Sequence, residues 1–93
     1  MPVRLEFDWD DARPARNFAK HDVRFADATR VFLDGRLVEI DVTRAVEGEA
    51  RRKVIDRIDG RVFAVVYTER GRAARLISAR RCNDKEARLY GPL

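Results

Sequence analysis

The stretch LISARRCNDKEARLY, Leu76 to Tyr90, sets two adjacent arginines, Arg80 and Arg81, at the end of an apolar run and follows them with a carboxylate, Glu86, and a phenol, Tyr90. A guanidinium grips phosphate through a planar fork and stays charged at physiological pH. Elsewhere Lys20 adjoins His21, Glu49 lies two residues before Arg51, and Tyr67 precedes Arg70 at the end of a second apolar run. Residues of these types suit cleavage of RNA without a metal or cofactor, in which the 2′-hydroxyl is the nucleophile. That reaction needs one group to take the 2′-proton, one to protonate the leaving 5′-oxygen, and cations for the charge that builds on the phosphate. His21, Glu49, Tyr67, Glu86 and Tyr90 are the residues near basic clusters that fit the first two roles. Arginine and lysine fill the third.

Each has a simpler explanation. A histidine at a helix end usually meets carbonyls or solvent. Tyr67 suits a core aromatic with its hydroxyl at the rim. Glu86, three residues after Asn83, has the spacing of a capping box. Arg51, Arg52 and Lys53 suit a solvated strand edge. Arg80 and Arg81 point to opposite faces of a strand, so one of them at most lines a given site. Cys82 has no second cysteine or adjacent histidine to activate it and reads as a small buried residue.

The elements that must position these residues follow from hydrophobic spacing. Val3, Leu5, Phe7 and Trp9 alternate with charged residues, the pattern of a half-buried strand. Asp10 or Asp11 suits the cap of a helix that tolerates Pro14 in its first turn, buries Ala12, Ala15, Phe18 and Ala19, and reaches about Lys20. A second helix begins near Phe25, buries Phe25, Ala28, Val31 and Phe32, and ends at Asp34-Gly35. From Leu37 the period becomes two, with Val38, Ile40 and Val42 inward and Glu39 and Asp41 outward. A strand over RRKVIDRID turns Val54 and Ile58 inward and meets the hairpin signal Asp59-Gly60. Val62 to Tyr67 is apolar on both faces, as in a central strand covered by helices. A last strand has Leu76 and Ser78 alternating against Ile77 and Ala79, and a short helix closes the chain. The predicted fold is α+β, a single domain over residues 1–93: an N-terminal strand and two helices packed on an antiparallel sheet of about four strands.

The 93 residues suffice for one modest core, and the 45% apolar share is that of a folded chain. No apolar run is long enough to span a membrane, and acids occupy the N-terminal stretch where a signal peptide would be apolar, so a cytoplasmic protein is expected. One cysteine and one histidine exclude an internal disulfide and a Cys/His zinc cluster. Residues 1–50 carry net −3 and residues 51–93 net +7. That asymmetry points to a polyanion or an acidic partner.

The motifs in combination resemble the BrnT family. FDWDDARPARNFAKHDVRFADATRVF is similar to that family's opening F-x-W-D…N…K-H-G-V-x-F-x-x-A, EGEARR to its G-E-x-R, and VVYTERGRAARLISARRCNDKEARLY to its V-Y-T-x-R…R-I-I-S-A-R-x-A…K-E…Y ending. Asp22 and Asp56 stand where the family has glycine, and Arg24 where it has a Ser/Thr cap. The resemblance implies a RelE-like fold and a type II toxin that cleaves mRNA. It implies no cofactor, and a BrnA-type antitoxin that neutralises the toxin and connects it to DNA only indirectly. Carried over position by position, the family's recurrent polar residues fall on Lys20, His21, Glu49, Arg51, Arg70, Arg80, Glu86 and Tyr90. In the enzyme reading Arg80 and Arg70 clamp phosphate, Lys20 assists, and His21 or Glu49 handles the proton. The alternative is a weak or inactive homologue whose basic half binds a protein or RNA. Single-stranded RNA binders present paired exposed aromatics, whereas most aromatics here read as core.

Overall fold

The computed structural model describes residues 6–33 and 37–90. Val3 and Leu5 of the expected first strand, and the Asp34-Gly35 turn, lie outside the described residues. The doubly apolar run Val62 to Tyr67 forms the middle of β4 (Arg61–Arg70), the central strand of a five-stranded sheet. On one side of it lie β3 (Arg52–Ile58) and then β2 (Val38–Asp41); on the other lie β5 (Ala73–Arg81) and then β1 (Phe7–Asp8). The β3–β4 hairpin closes on Asp59 and Gly60, both at positive φ (50° and 83°), as a two-residue turn of matching twist requires. Pairing is antiparallel except at the β1 edge, where Phe7 and Asp8 run parallel to Ala74 and Arg75. The sheet therefore has five strands rather than about four, because the N-terminal strand joins the outer edge of β5 instead of packing separately.

One face of the sheet is covered by α2 (Phe25–Ala28) and the 3-10 turn that continues it, Thr29–Leu33. The predicted stripe Phe25, Ala28, Val31 and Phe32 is buried there against Val54, Val65, Tyr67, Leu76 and Ala79. The Phe32 ring meets Tyr67 edge-on with centroids 5.1 Å apart, an arrangement aromatic pairs favour. Among the described residues the opposite face carries α3 (Asp84–Tyr90).

Edge strand β2 turns the other way from its predicted direction. Glu39 lies opposite core residue Val54, accepts the Tyr67 hydroxyl at 2.6 Å, and pairs with the Arg52 guanidinium. Val38 and Ile40 face α3 and remain 36% and 43% exposed. The period is as expected; the direction is set by the buried Tyr67 hydroxyl, which needs an acceptor on the core side.

The first helix also departs from its apolar stripe. In α1 (Arg13–His21) Ala15, Ala19 and Phe18 are exposed and the buried residue is Asn17. Its Nδ2 donates to the carbonyls of Ala79 (2.8 Å) and Val23 (2.9 Å), and its Oδ1 accepts the Ala79 N–H at 3.0 Å. Strand β1 ends before Ala79, so the outward backbone groups of β5 would otherwise be unpaired there. The Asn17 amide reproduces the two bonds a neighbouring strand would make. The Phe18 ring is covered instead by Arg24, whose guanidinium sits 4.6 Å from its centroid. Asp22 ends α1 in the left-handed region at φ 57°, the conformation glycine adopts freely. Arg24 begins α2 with no side-chain cap. Asp56 is buried and accepts the Tyr90 hydroxyl at 2.8 Å. No helix among the described residues is long and apolar enough to cross a membrane.

Replacing Asn17 with alanine strands the Ala79 N–H and C=O inside the protein. At ~1–3 kcal/mol for each buried unsatisfied group, Asn17→Ala should cost about 2–6 kcal/mol. In a domain this size that lowers Tm by roughly 10 °C or more. A melt within a few degrees of wild type would show that solvent reaches this edge.

Candidate functional site

The site is built on a phase change in β5. Tyr67 pairs with Leu76, but Val66 pairs with Ser78, so Ile77 is an extra residue with no partner on β4. Before the bulge Leu76 faces the helix-covered core; after it, Ala79 does. Strict alternation from Leu76 would have sent Arg80 into that core. The inserted residue turns Ser78 and Arg80 to the opposite face and leaves Arg81 on the helix side, as bulges beside functional sites commonly do. Arg81 there lines a separate cavity of about 460 Å³ with Phe18, Arg61 and Phe63.

On the face away from the main core, cross-strand rows follow from the register. Ile55, Ala64 and Arg80 form one row, and Lys53, Val66 and Ser78 the next. Helix α3 lies over the first. Arg80 donates from both terminal nitrogens to the two oxygens of Glu86, each at 2.6 Å, and the Lys53 ammonium is 3.6 Å from Glu86 Oε2. Glu86 also completes the expected capping box: its N–H donates to Asn83 Oδ1 at 2.8 Å, and its Oε1 accepts the Asn83 N–H at 3.2 Å. The Arg80 fork above all, then the Asn83 N–H and the Lys53 charge, hold the Glu86 carboxyl down to about 2 against the cost of burial. Glu86 is thus a fixed anion at neutral pH and has no proton to give. The same pairing raises the Arg80 pKa further.

Lys20 and His21, the last two residues of α1, flank the same end of β5 and line an open hollow with Ser78. Partial burial, and then the charges of Lys20 and Arg80, lower the His21 pKa below its usual 6.5. A neutral imidazole is the form that can accept a proton.

Glu49, Arg51 and Arg70 make a second cluster. Glu49 lies 3.4 Å from the Arg51 guanidinium and 3.8 Å from that of Arg70, and Thr68 ties the loop to β4 through the Ala50 carbonyl at 2.8 Å. Along β4, Arg70 is six residues from Ala64, the partner of Arg80, which places the two backbones about 20 Å apart. The residues singled out in the sequence therefore fall at two ends of one face, and Arg70 does not share a phosphate with Arg80. Tyr90 lines a small hollow with Lys53 and Glu86, beside the Arg80 cluster, while its hydroxyl donates to Asp56. Tyr67 is buried on the helix side. Burial and the adjacent Glu86 charge push the Cys82 thiol up, away from the reactive thiolate.

Lys53, Ser78 and Arg75 share the open face and were not distinguished by sequence. Lys53 reads as a solvated edge until Glu86 is placed beside it. Ser78 reads as a companion of core residue Leu76 until the bulge is known. Arg75 sits opposite Thr68 and is held by Asp8 at 2.5 Å; the spacing of 67 residues between the two leaves no local signal. Among the described residues no three His, Cys, Asp or Glu side chains come together as a metal site.

A family model described as a ribonuclease toxin, BrnT, of a type II toxin-antitoxin system matches residues 9–86. No curated protein matches the chain at a significant level.

Because the Glu86 carboxyl titrates near 2 in the fold and near 4.5 when exposed, its stabilising effect is complete above pH 4.5 and is lost as pH falls toward 2. Glu86→Gln should be less stable than wild type at pH 7, and the gap should close across that window. A constant gap from pH 7 to pH 2, followed by thermal melting, would show that the carboxylate charge contributes nothing.

Proposed function

The chain belongs to the BrnT family of type II ribonuclease toxins, and from that premise we propose that it is a metal-independent endoribonuclease that cleaves mRNA in the cytoplasm, on a RelE-like scaffold, and is neutralised by a BrnA-type antitoxin. The observation that carries the reading is an imidazole that lines a hollow with Lys20 and Ser78 and whose pKa is lowered by partial burial and by the charges of Lys20 and Arg80, beside a basic sheet face. His21 takes the 2′-hydroxyl proton. The 2′-oxygen then bonds to phosphorus as the 5′-oxygen leaves and takes a proton from solvent water, giving a cyclic phosphate and a 5′-hydroxyl end. Arg80, Lys53 and Lys20 stabilise the charge that accumulates on the non-bridging oxygens. RNA phosphate competes with the Glu86 carboxylate for the Arg80 fork, because both are bidentate anions. The Glu49, Arg51 and Arg70 cluster lies too far away to act on the same phosphate and holds RNA outside the reaction centre. The antitoxin covers the basic face, and contact with DNA comes through the antitoxin alone.

A second reading has one observation in its favour: the Arg80 fork is filled by Glu86. In that reading the protein is an inactive homologue that binds a protein or RNA. Expression of the chain alone and with its antitoxin, with growth and RNA integrity followed together, separates the two. Growth arrest with broken RNA, relieved by the antitoxin, supports the enzyme; intact RNA supports the binding module.

Arg80→Lys keeps the charge and loses the fork. In an assay containing excess EDTA it should lower cleavage about a hundredfold, the ~3 kcal/mol typical of losing a preorganised donor. Arg81→Lys, on the other face, should leave cleavage within a few fold. Melting curves must show both variants folded; equal small losses would take Arg80 out of the site.

With His21 as base, the acid limb of kcat/KM should have its midpoint below the 6.5 of an ordinary imidazole, since the free enzyme must carry neutral imidazole. His21→Ala should abolish that acid limb together with most of the activity. An acid limb that survives the substitution would assign the base to another residue.

A further inference from the structure

The outward face of α1 holds Arg13, Arg16 and Lys20 at helical spacings of three and four residues, which place them in one stripe. The stripe borders an open hollow of about 400 Å³ between α1 and β5, with Ile77 and Ser78 as its floor and His21 at the end nearest the proposed reaction centre. No carboxylate lines it. The contrast with the rest of the surface is informative, because Arg30, Arg52, Arg75 and Arg80 each have an acidic partner. Arg13 touches the Ile77 carbonyl, at 3.4 Å, while Arg16 and Lys20 have no ion pair among the described residues. Like charges packed on one helix face are destabilising unless an anion completes them. At a rise of ~1.5 Å per residue the stripe extends roughly 10 Å from Arg13 to Lys20, an elongated row rather than a single point. No Phe, Tyr or Trp side chain lines the hollow, and its one imidazole, His21, is assigned to proton transfer, so bases are not offered the paired stacking platform of a base-reading surface. Cations without a base-reading group match the phosphate backbone of a nucleic acid and carry no sequence preference.

We propose that Arg13, Arg16 and Lys20 form a phosphate track that holds single-stranded RNA beside the cleaved bond, independently of base sequence; this rests on the ribonuclease reading above. The bulge serves the track as well as the reaction centre. It opens the β5 edge at Ile77, whose carbonyl anchors Arg13, and turns the Ser78 hydroxyl toward the hollow. The RNA then runs from His21 outward along α1; Lys20 joins the track to the reaction centre, and Arg13 and Arg16 raise affinity without taking part in bond breaking.

The test uses Arg16→Gln, an exposed residue with no ion pair among the described residues, and Arg61→Gln, an equal charge change at the β3–β4 hairpin. The probe is a single-stranded 2′-O-methyl RNA, which binds but cannot be cleaved, followed by fluorescence anisotropy against salt. Losing one phosphate contact lowers the salt slope by ~0.7, which is roughly a fivefold to tenfold loss of affinity at 50 mM salt. Arg16→Gln should show that loss for probes of different sequence while Arg61→Gln does not, and on cleavable RNA its KM should rise with kcat unchanged. Equal losses in the two variants would overturn the track in favour of general charge attraction. An Arg16 effect seen only on antitoxin binding would overturn it in favour of a protein interface. Because the probe resists cleavage, the two readings fail separately: a chain that cuts no RNA yet loses probe affinity at Arg16 keeps the track and loses the nuclease, and active cleavage indifferent to Arg16 does the reverse.

Discussion

Two hydrogen bonds between the Asn17 amide and the backbone of Ala79 hold together the parts on which everything else depends. They fix α1 against β5 at the point where the sheet edge is exposed, immediately after the bulged residue Ile77. A third bond, to the Val23 carbonyl, ties the following turn to the same amide. Three elements thus converge on one buried polar side chain whose hydrogen-bonding groups all have partners on the backbone. In a protein interior such a group specifies geometry as much as it stabilises, because any shift of helix or strand leaves it unsatisfied.

From that anchor follows the division of labour between the two faces. The helix-covered face is a compact apolar core closed by aromatic contacts among Phe7, Phe32 and Tyr67. At its β2 edge the Tyr67 hydroxyl finds Glu39, which in turn holds Arg52. The opposite face has, among the described residues, one short helix over it and collects the cations Lys53, Arg75 and Arg80. There the carboxylates of Asp8 and Glu86 restrain arginines rather than filling a core. Charge density on this face is therefore high but locally balanced, except along α1, where basic residues face a hollow without acids.

Glu86 illustrates how one residue joins structure to chemistry. Its backbone and side chain cap α3, and its two oxygens occupy the fork of the arginine best placed to bind phosphate. A carboxylate held near pKa 2 is a persistent competitor for any anion approaching Arg80. An RNA phosphodiester carries the same single charge as the carboxylate and offers a similar bidentate edge, so exchange depends on further cations, such as Lys53 and Lys20, adding to its side of the balance.

Sequence by itself determined what local rules control. Hydrophobic period identified the α2 stripe and the central strand β4. Positive-φ chemistry identified the Asp59-Gly60 hairpin, and residue spacing identified the Asn83–Glu86 cap, because each depends on neighbours a few residues away. The motifs of the N- and C-terminal parts together identified the family. Tertiary structure alone decided which way those elements face. The direction of β2 was settled by a buried tyrosine hydroxyl 28 residues away, and the support of α1 by an asparagine 62 residues from its partner. The exposure of Arg80 was settled by one unpaired residue in a strand whose composition reads as regular. An extra residue in a ladder leaves no trace in hydrophobic alternation when alanine, serine and isoleucine all tolerate half-burial. Phase, and with it the membership of the site, is a property of the paired sheet.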